Sequence, residues 1–94
     1  MISEKNILIH ELIGLNARVA KAPSANLIGL CGMVVDETRN TLLFEEKSGR
    51  EVRVPKASAT FAFTLPSGSE VPVNGSGILF NPVERLKKLA RKIW

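Results

Sequence analysis

The sequence predicts a mainly β domain: a small, strongly twisted antiparallel sheet closed into a barrel, with a short helix at each end. Three observations carry this. Short segments of alternating apolar and polar residues recur along the chain, turn-forming residues separate them at close spacing, and helical spacing is confined to the two ends. With 94 residues and a hydrophobic content of 45%, one core is expected, because two halves would each lack enough apolar surface to bury. The chain is therefore read as a single domain over 1–94, with a helical arm at 1–15, the barrel at 16–80 and a basic helix at 81–94.

The first segment opens with Ser3 as a cap and continues through Ile7, Leu8, Ile9, Leu12 and Ile13, a short helix over 3–13. Its apolar residues cover more than one narrow stripe, which makes Ile7, Leu8, Leu12 and Ile13 candidate contacts for a protein partner. A plain covering role over the barrel accounts for them equally well. From residue 16 the period becomes that of a strand, with Ala17 and Val19 alternating against Arg18 and Ala20 as far as Lys21. Pro23, Ser24 and Asn26 form a loop, and Leu30 to Glu37 reads as a second strand with a bend at Gly32. Asp36 to Asn40 is a polar turn in which Asp and Asn side chains can bond their own backbone, and Thr41 to Phe44 follows as the return strand.

Lys47 to Arg50 supplies the next turn, after which Val52 and Val54 face opposite to Glu51 and Arg53. Phe61, Phe63 and Leu65 alternate with Thr60, Ala62 and Thr64, so the phenylalanines are assigned to the core and not to stacking platforms. A shorter strand pair is expected at Glu70 to Val73 and Ile78 to Phe80, joined by Asn74-Gly75-Ser76-Gly77, with Pro72 placing the first at a sheet edge. Asn81 as cap, Pro82 at the first helical position and Glu84 as capping partner start a helix that runs from 82 to about 93. Val83, Leu86, Ala90 and Ile93 should face protein, flanked by Arg85, Lys88 and Lys92 on one side and Lys87 and Arg91 on the other. Such an order of elements describes an SH3-like or Sm-like barrel. Leu-Ile-Gly-Leu occurs at Leu12 to Leu15 and again at Leu27 to Leu30, but two copies do not make a repeat architecture.

Several chemistries lack their residues. Cys31 is the single cysteine and no Cys/His cluster offers a zinc ligand set, so neither a metal nor an internal disulfide is expected. His10, the single histidine, has no nucleophile placed beside it, and the acids Asp36, Glu37, Glu45 and Glu46 form no catalytic pair. The Asn74 to Gly77 run lacks the lysine and long helix of a phosphate loop. No apolar run approaches the roughly 18 residues of a membrane span, and the N-terminus does not read as a signal segment, so a cytoplasmic protein is expected.

What remains is charge. Thirteen Lys and Arg against nine Asp and Glu give a net charge of +4. Arg39, Lys47, Arg50, Arg53 and Lys56 fall at consecutive strand ends and turns, where long side chains reach phosphates, and Arg85, Lys88, Arg91 and Lys92 extend the set along the last helix. These are candidate nucleic-acid phosphate contacts, and the pattern by itself does not distinguish RNA from DNA; they become candidate RNA contacts only through a family resemblance. The charge pattern alone equally describes a solvated rim.

The run Gly32-Met33-Val34-Val35-Asp36-Glu37-Thr38-Arg39-Asn40-Thr41-Leu42, with Leu27-Ile28-Gly29-Leu30 before it and Val54-Pro55-Lys56 after it, resembles the archaeal ribonuclease P protein component 1 family. His10 to Leu15 and Phe61 to Phe63 extend the resemblance over nearly the whole chain. The resemblance implies an Sm-like barrel subunit that assists a catalytic RNA in removing the 5′ leader of precursor transfer RNA, with no active site in the protein. It also implies magnesium on the RNA of the holoenzyme, no cofactor in this chain, and a zinc-ribbon protein subunit as partner of the N-terminal helix. In isolation the chain is expected to be a monomer, since no second Sm-type signature for a ring is present. Two other readings fit the charge pattern: a general basic RNA-binding barrel of ribosomal or chaperone type, and a protein-interaction adaptor.

Overall fold

The computed structural model describes residues 7, 11–81 and 83–87. Six strands form one antiparallel sheet: β1 (Asn16–Lys21), β2 (Cys31–Glu37), β3 (Thr41–Glu45), β4 (Glu51–Pro55), β5 (Thr60–Thr64) and β6 (Glu70–Asn74), in the order β4-β3-β2-β1-β5-β6. Each neighbouring pair other than β1 with β5 is consecutive in sequence, as a meander requires. The β1–β5 contact curls the sheet around its core, although among the described residues β4 and β6 pair with no strand on their outer sides, so the barrel is an incompletely closed one.

Two irregularities make the bend. The β2–β3 register shifts between Val34 and Asp36, and the β1–β5 register shifts between Val19 and Lys21. An extra residue on one strand increases local twist. The first shift explains the adjacent valines, since Val34 is buried while Val35 falls in the irregularity.

Ala17 and Val19 of β1, Leu42 and Phe44 of β3, and Phe61 and Phe63 of β5 point into one core, as their alternation predicts. The Phe44 and Phe61 rings stand 6.0 Å apart and the Phe61 and Phe63 rings 6.1 Å apart. Removal of one such ring costs about 3–5 kcal/mol. Pro72 lies in β6 at the sheet edge, where its missing N–H costs no ladder bond.

Three expectations are corrected. Ile7 and Leu12, read as partner contacts, are 2% and 0% exposed, because their side chains belong to the same hydrophobic cluster as Leu15, Val34 and Ile78. Of that set Ile13 is exposed; Leu8 and His10 lie outside the described residues with most of the segment read as a helix over 3–13, and the described residues 11–13 are not helical. Second, no strand forms at Ile78 to Phe80. Residues Gly75–Ile78 make a 3-10 turn instead, since Gly75 is pressed against the carbonyls of Lys56 and Ala59, where a Cβ would collide, and Ile78 is drawn into the core. Third, the last helix is turned around. Residues 83–87 are helical, yet Val83 and Leu86 are 62% and 52% exposed while Arg85 points inward.

Candidate nucleic-acid interface

The β2–β3 turn is tied by Thr38 more than by the Asp and Asn that the sequence offers. The Thr38 N–H donates to the Thr41 carbonyl at 3.0 Å, the Thr41 N–H donates to Thr38 Oγ1 at 3.1 Å, and the two hydroxyls share a 2.6 Å bond. Asp36 Oδ1 accepts the Glu37 N–H at 2.9 Å, a local bond of the expected kind. The turn thereby holds Arg39 at its exposed tip.

Directly beneath the tip lies a buried cluster of three charges. Glu37 ends β2 with its side chain turned inward, and its Oε2 accepts from Lys56 Nζ at 2.7 Å and from Arg85 Nη1 at 2.6 Å. The Lys56 ammonium also donates to the carbonyls of Thr38 (2.8 Å) and Phe80 (3.0 Å). Arg85 also donates to those of Ile78 (3.0 Å) and Phe80 (2.8 Å). Burial pushes the Lys56 ammonium below the ordinary lysine value of 10.5, with the hydrogen bond and charge of Glu37 opposing and the charge of Arg85 adding.

The helix orientation follows from this cluster. Asn81 caps as predicted, accepting the Glu84 N–H at 2.9 Å, and its amide donates to Glu84 Oε1 at 2.8 Å. Arg85, one turn on, is captured by Glu37 and by carbonyls that need donors. Its capture turns Val83 and Leu86 outward.

Phe80 joins the cluster to the tip. Its N–H donates to the Arg39 carbonyl at 2.7 Å, and the Arg39 guanidinium lies over its ring, 4.4 Å from the centroid. Phe80 takes φ 74°, a left-handed conformation that a bulky residue seldom adopts. Beside the tip, Arg53 Nη1 donates to Thr41 Oγ1 at 2.9 Å.

The predicted cations therefore divide. Arg39 and Arg53 share one exposed corner. Lys56 and Arg85, expected as phosphate contacts, are 0% and 5% exposed and serve Glu37 and the backbone instead. Lys47 and Arg50 stand at the far end of the β3–β4 ladder, where Arg50 meets Glu46 at 3.6 Å. Lys47 there borders a shallow groove of about 760 Å³ on the outer sheet face, lined also by Cys31, Met33 and an Arg18–Glu70 ion pair at 3.0 Å. Lys88, Arg91 and Lys92 lie outside the described residues. Among the described residues no three His, Cys, Asp or Glu side chains group to hold a metal ion.

Two residues that build the corner were not singled out in the sequence. Glu37 reads as one of several turn acids and Phe80 as the end of a strand. A signal for the inward lysine was present, since Val52, Val54 and Lys56 share one face by strand periodicity.

Comparison with known proteins bears on what such a corner serves. Residues 5–88 match the family model described as ribonuclease P/MRP, subunit p29. The chain is 48% identical over 92 residues to the ribonuclease P protein component 1 of Methanothermobacter thermautotrophicus, covering 98% of this chain and 99% of that protein. To the protein of the same name from Methanocaldococcus jannaschii it is 51% identical over 88 residues, covering 94% and 92%. A solved structure described as a homologue of the human RNase P protein Rpp29 superposes with a TM-score of 0.60 at 47% identity, over 81% of this chain and 97% of that one.

Proposed function

This chain belongs to the family of ribonuclease P/MRP subunit p29, and from that membership we propose that it binds and positions RNA through the corner formed by Arg39 and Arg53. It is a protein subunit of ribonuclease P, the endonuclease of transfer-RNA processing, and works with the RNA of that particle. The observation that carries the proposal is the exposed Arg39 guanidinium, laid on Phe80 at the tip of a tightly bonded turn, with Arg53 beside it. Guanidinium groups so held suit phosphate oxygens, and phosphate contacts fix register and orientation on a nucleic acid.

In this reading the chain takes no chemical step. The acid beneath the corner, Glu37, is engaged by Lys56 and Arg85, and the magnesium of the holoenzyme is assigned to its RNA. Precursor transfer RNA is met as part of the assembled particle. The zinc-ribbon subunit is the proposed protein partner, on the side of the N-terminal segment where Ile13 is exposed. Apart from the particle the chain is a monomer, and its proposed location is the cytoplasm. No helix among the described residues is long and apolar enough to cross a membrane.

Reconstitution tests the proposal. Adding the chain to ribonuclease P RNA with the other protein subunits should raise cleavage of precursor transfer RNA at low magnesium, and an unchanged rate on its omission would contradict it. RNA affinity should also fall steeply with salt, because each phosphate contact releases counterions.

A further inference from the structure

Three charges buried behind an RNA-facing turn are not explained by stability, since ionic clusters of this kind are often replaceable by well-packed apolar residues without loss. The bonds they make have a different pattern. Lys56 grips the Thr38 carbonyl on one side of Arg39, and Lys56 and Arg85 together grip the Phe80 carbonyl on the other. Phe80 is thus held by its N–H, which bonds the Arg39 carbonyl, and by two cations on its oxygen. A left-handed phenylalanine persists only where its surroundings over-determine it. That conformation is what sets the ring beneath the Arg39 guanidinium.

We propose that Glu37, Lys56 and Arg85 are positioning residues for RNA: they hold Phe80 in its left-handed conformation so that its ring pre-orders Arg39 to clamp an RNA phosphate. The proposal rests on the reading of the corner as an RNA contact. An arginine free in solvent must surrender rotamer freedom on binding, whereas one already stacked on a ring has surrendered part of it beforehand. Among the described residues no hydrogen bond occupies the Arg39 guanidinium, which lies 4.4 Å from the Phe80 ring centroid, so its donors remain for a phosphate contact.

The test is a mutant cycle on binding of the full chain to ribonuclease P RNA across a salt series. Arg39→Ala should remove about one phosphate contact, lowering the slope of log affinity against log salt by about 0.7–0.9 and the affinity about five- to tenfold near 0.1 M salt. Phe80→Gly and Phe80→Asn both accept a positive φ, so each should keep the fold and its melting temperature while losing a large part of that same affinity. In the Arg39→Ala background neither should cost anything further. Glu37→Gln, measured where it remains folded, should follow the Phe80 variants. If Arg39→Ala weakens binding but the Phe80 variants bind like the parent chain, or add their losses to that of Arg39→Ala, the positioning role is overturned and the RNA contact stands. If Arg39→Ala leaves affinity and slope unchanged, the RNA contact fails and the positioning role fails with it.

Discussion

At one end of the β3–β4 ladder Thr41 faces Pro55, and the next residue, Lys56, is sealed beneath the β2–β3 turn with Glu37 and Arg85. At the other end Glu45 faces Glu51, and Lys47 and Arg50 stand in solvent, with Glu46 3.6 Å from Arg50 in an ion pair. The two ends lie roughly 13 Å apart along strands of similar composition. What separates them is the company of each cation. Where backbone carbonyls converge with a carboxylate, burial is offset by directed bonds, and the charge becomes part of the architecture. Where an exposed arginine meets a half-buried acid at the surface, the pair contributes about 0–1 kcal/mol and the charge stays available for a ligand.

The largest effect that can break this comparison is loss of the buried acid. Glu37→Gln leaves two interior cations without a counter-charge and should cost about 3–5 kcal/mol in urea unfolding, while Glu46→Gln should stay within about 0.5 kcal/mol. Against a total of about 5–15 kcal/mol for a domain, the first change brings the chain near its threshold. Equal losses would show that the two ends do not differ in kind. Next in size is Gly75→Ala, whose methyl group would strike the carbonyls of Lys56 and Ala59 and should cost about 1–3 kcal/mol by the same unfolding measurement.

The cluster also has a signature in alkali. Because burial lowers the Lys56 pKa from 10.5, there is a window below 10.5 in which the folded chain has released a proton that the unfolded chain still binds. Stability therefore rises with pH across that window for this group, and the contribution is complete above 10.5. Urea midpoints compared with those of Lys56→Met should show the parent chain gaining on the variant as pH increases. A difference that is flat or falls with pH would contradict the burial.

Much of this architecture was legible from periodicity and turn chemistry. Ala17 and Val19, Leu42 and Phe44, and Phe61 and Phe63 follow strand alternation, and Asn81 with Glu84 follows the logic of a cap. The candidate site was less legible, because its members are joined by the path of the chain after β6. Asn74-Gly75-Ser76-Gly77 reads locally as a hairpin turn, yet Gly75 packs on the Lys56–Ala59 segment and sends the chain into a 3-10 turn that delivers Phe80 to Arg39. Periodicity had set Lys56 on the face of Val52 and Val54, but a lysine weighs as surface until its acceptors are known. Arg85 was obscured for the opposite reason, since Val83 and Leu86 form the more obvious inward stripe. Nothing local in sequence shows that Glu37 and the carbonyls of Ile78 and Phe80 wait as acceptors for Arg85.

The smallest expected effect sharpens the comparison from the side of RNA. Arg53 shares the corner with Arg39 through its bond to Thr41, whereas Arg50 belongs to the far turn and is near Glu46. If RNA lies on the corner, Arg53→Ala should lower the salt slope of binding by about 0.7–0.9, and Arg50→Ala by less than half as much. Both variants should unfold within about 0.5 kcal/mol of the parent chain, as exposed substitutions do. Equal reductions in slope would mean that RNA spans both ends of the ladder, and the difference between them would then concern how each cation is held and not which of them meets phosphate.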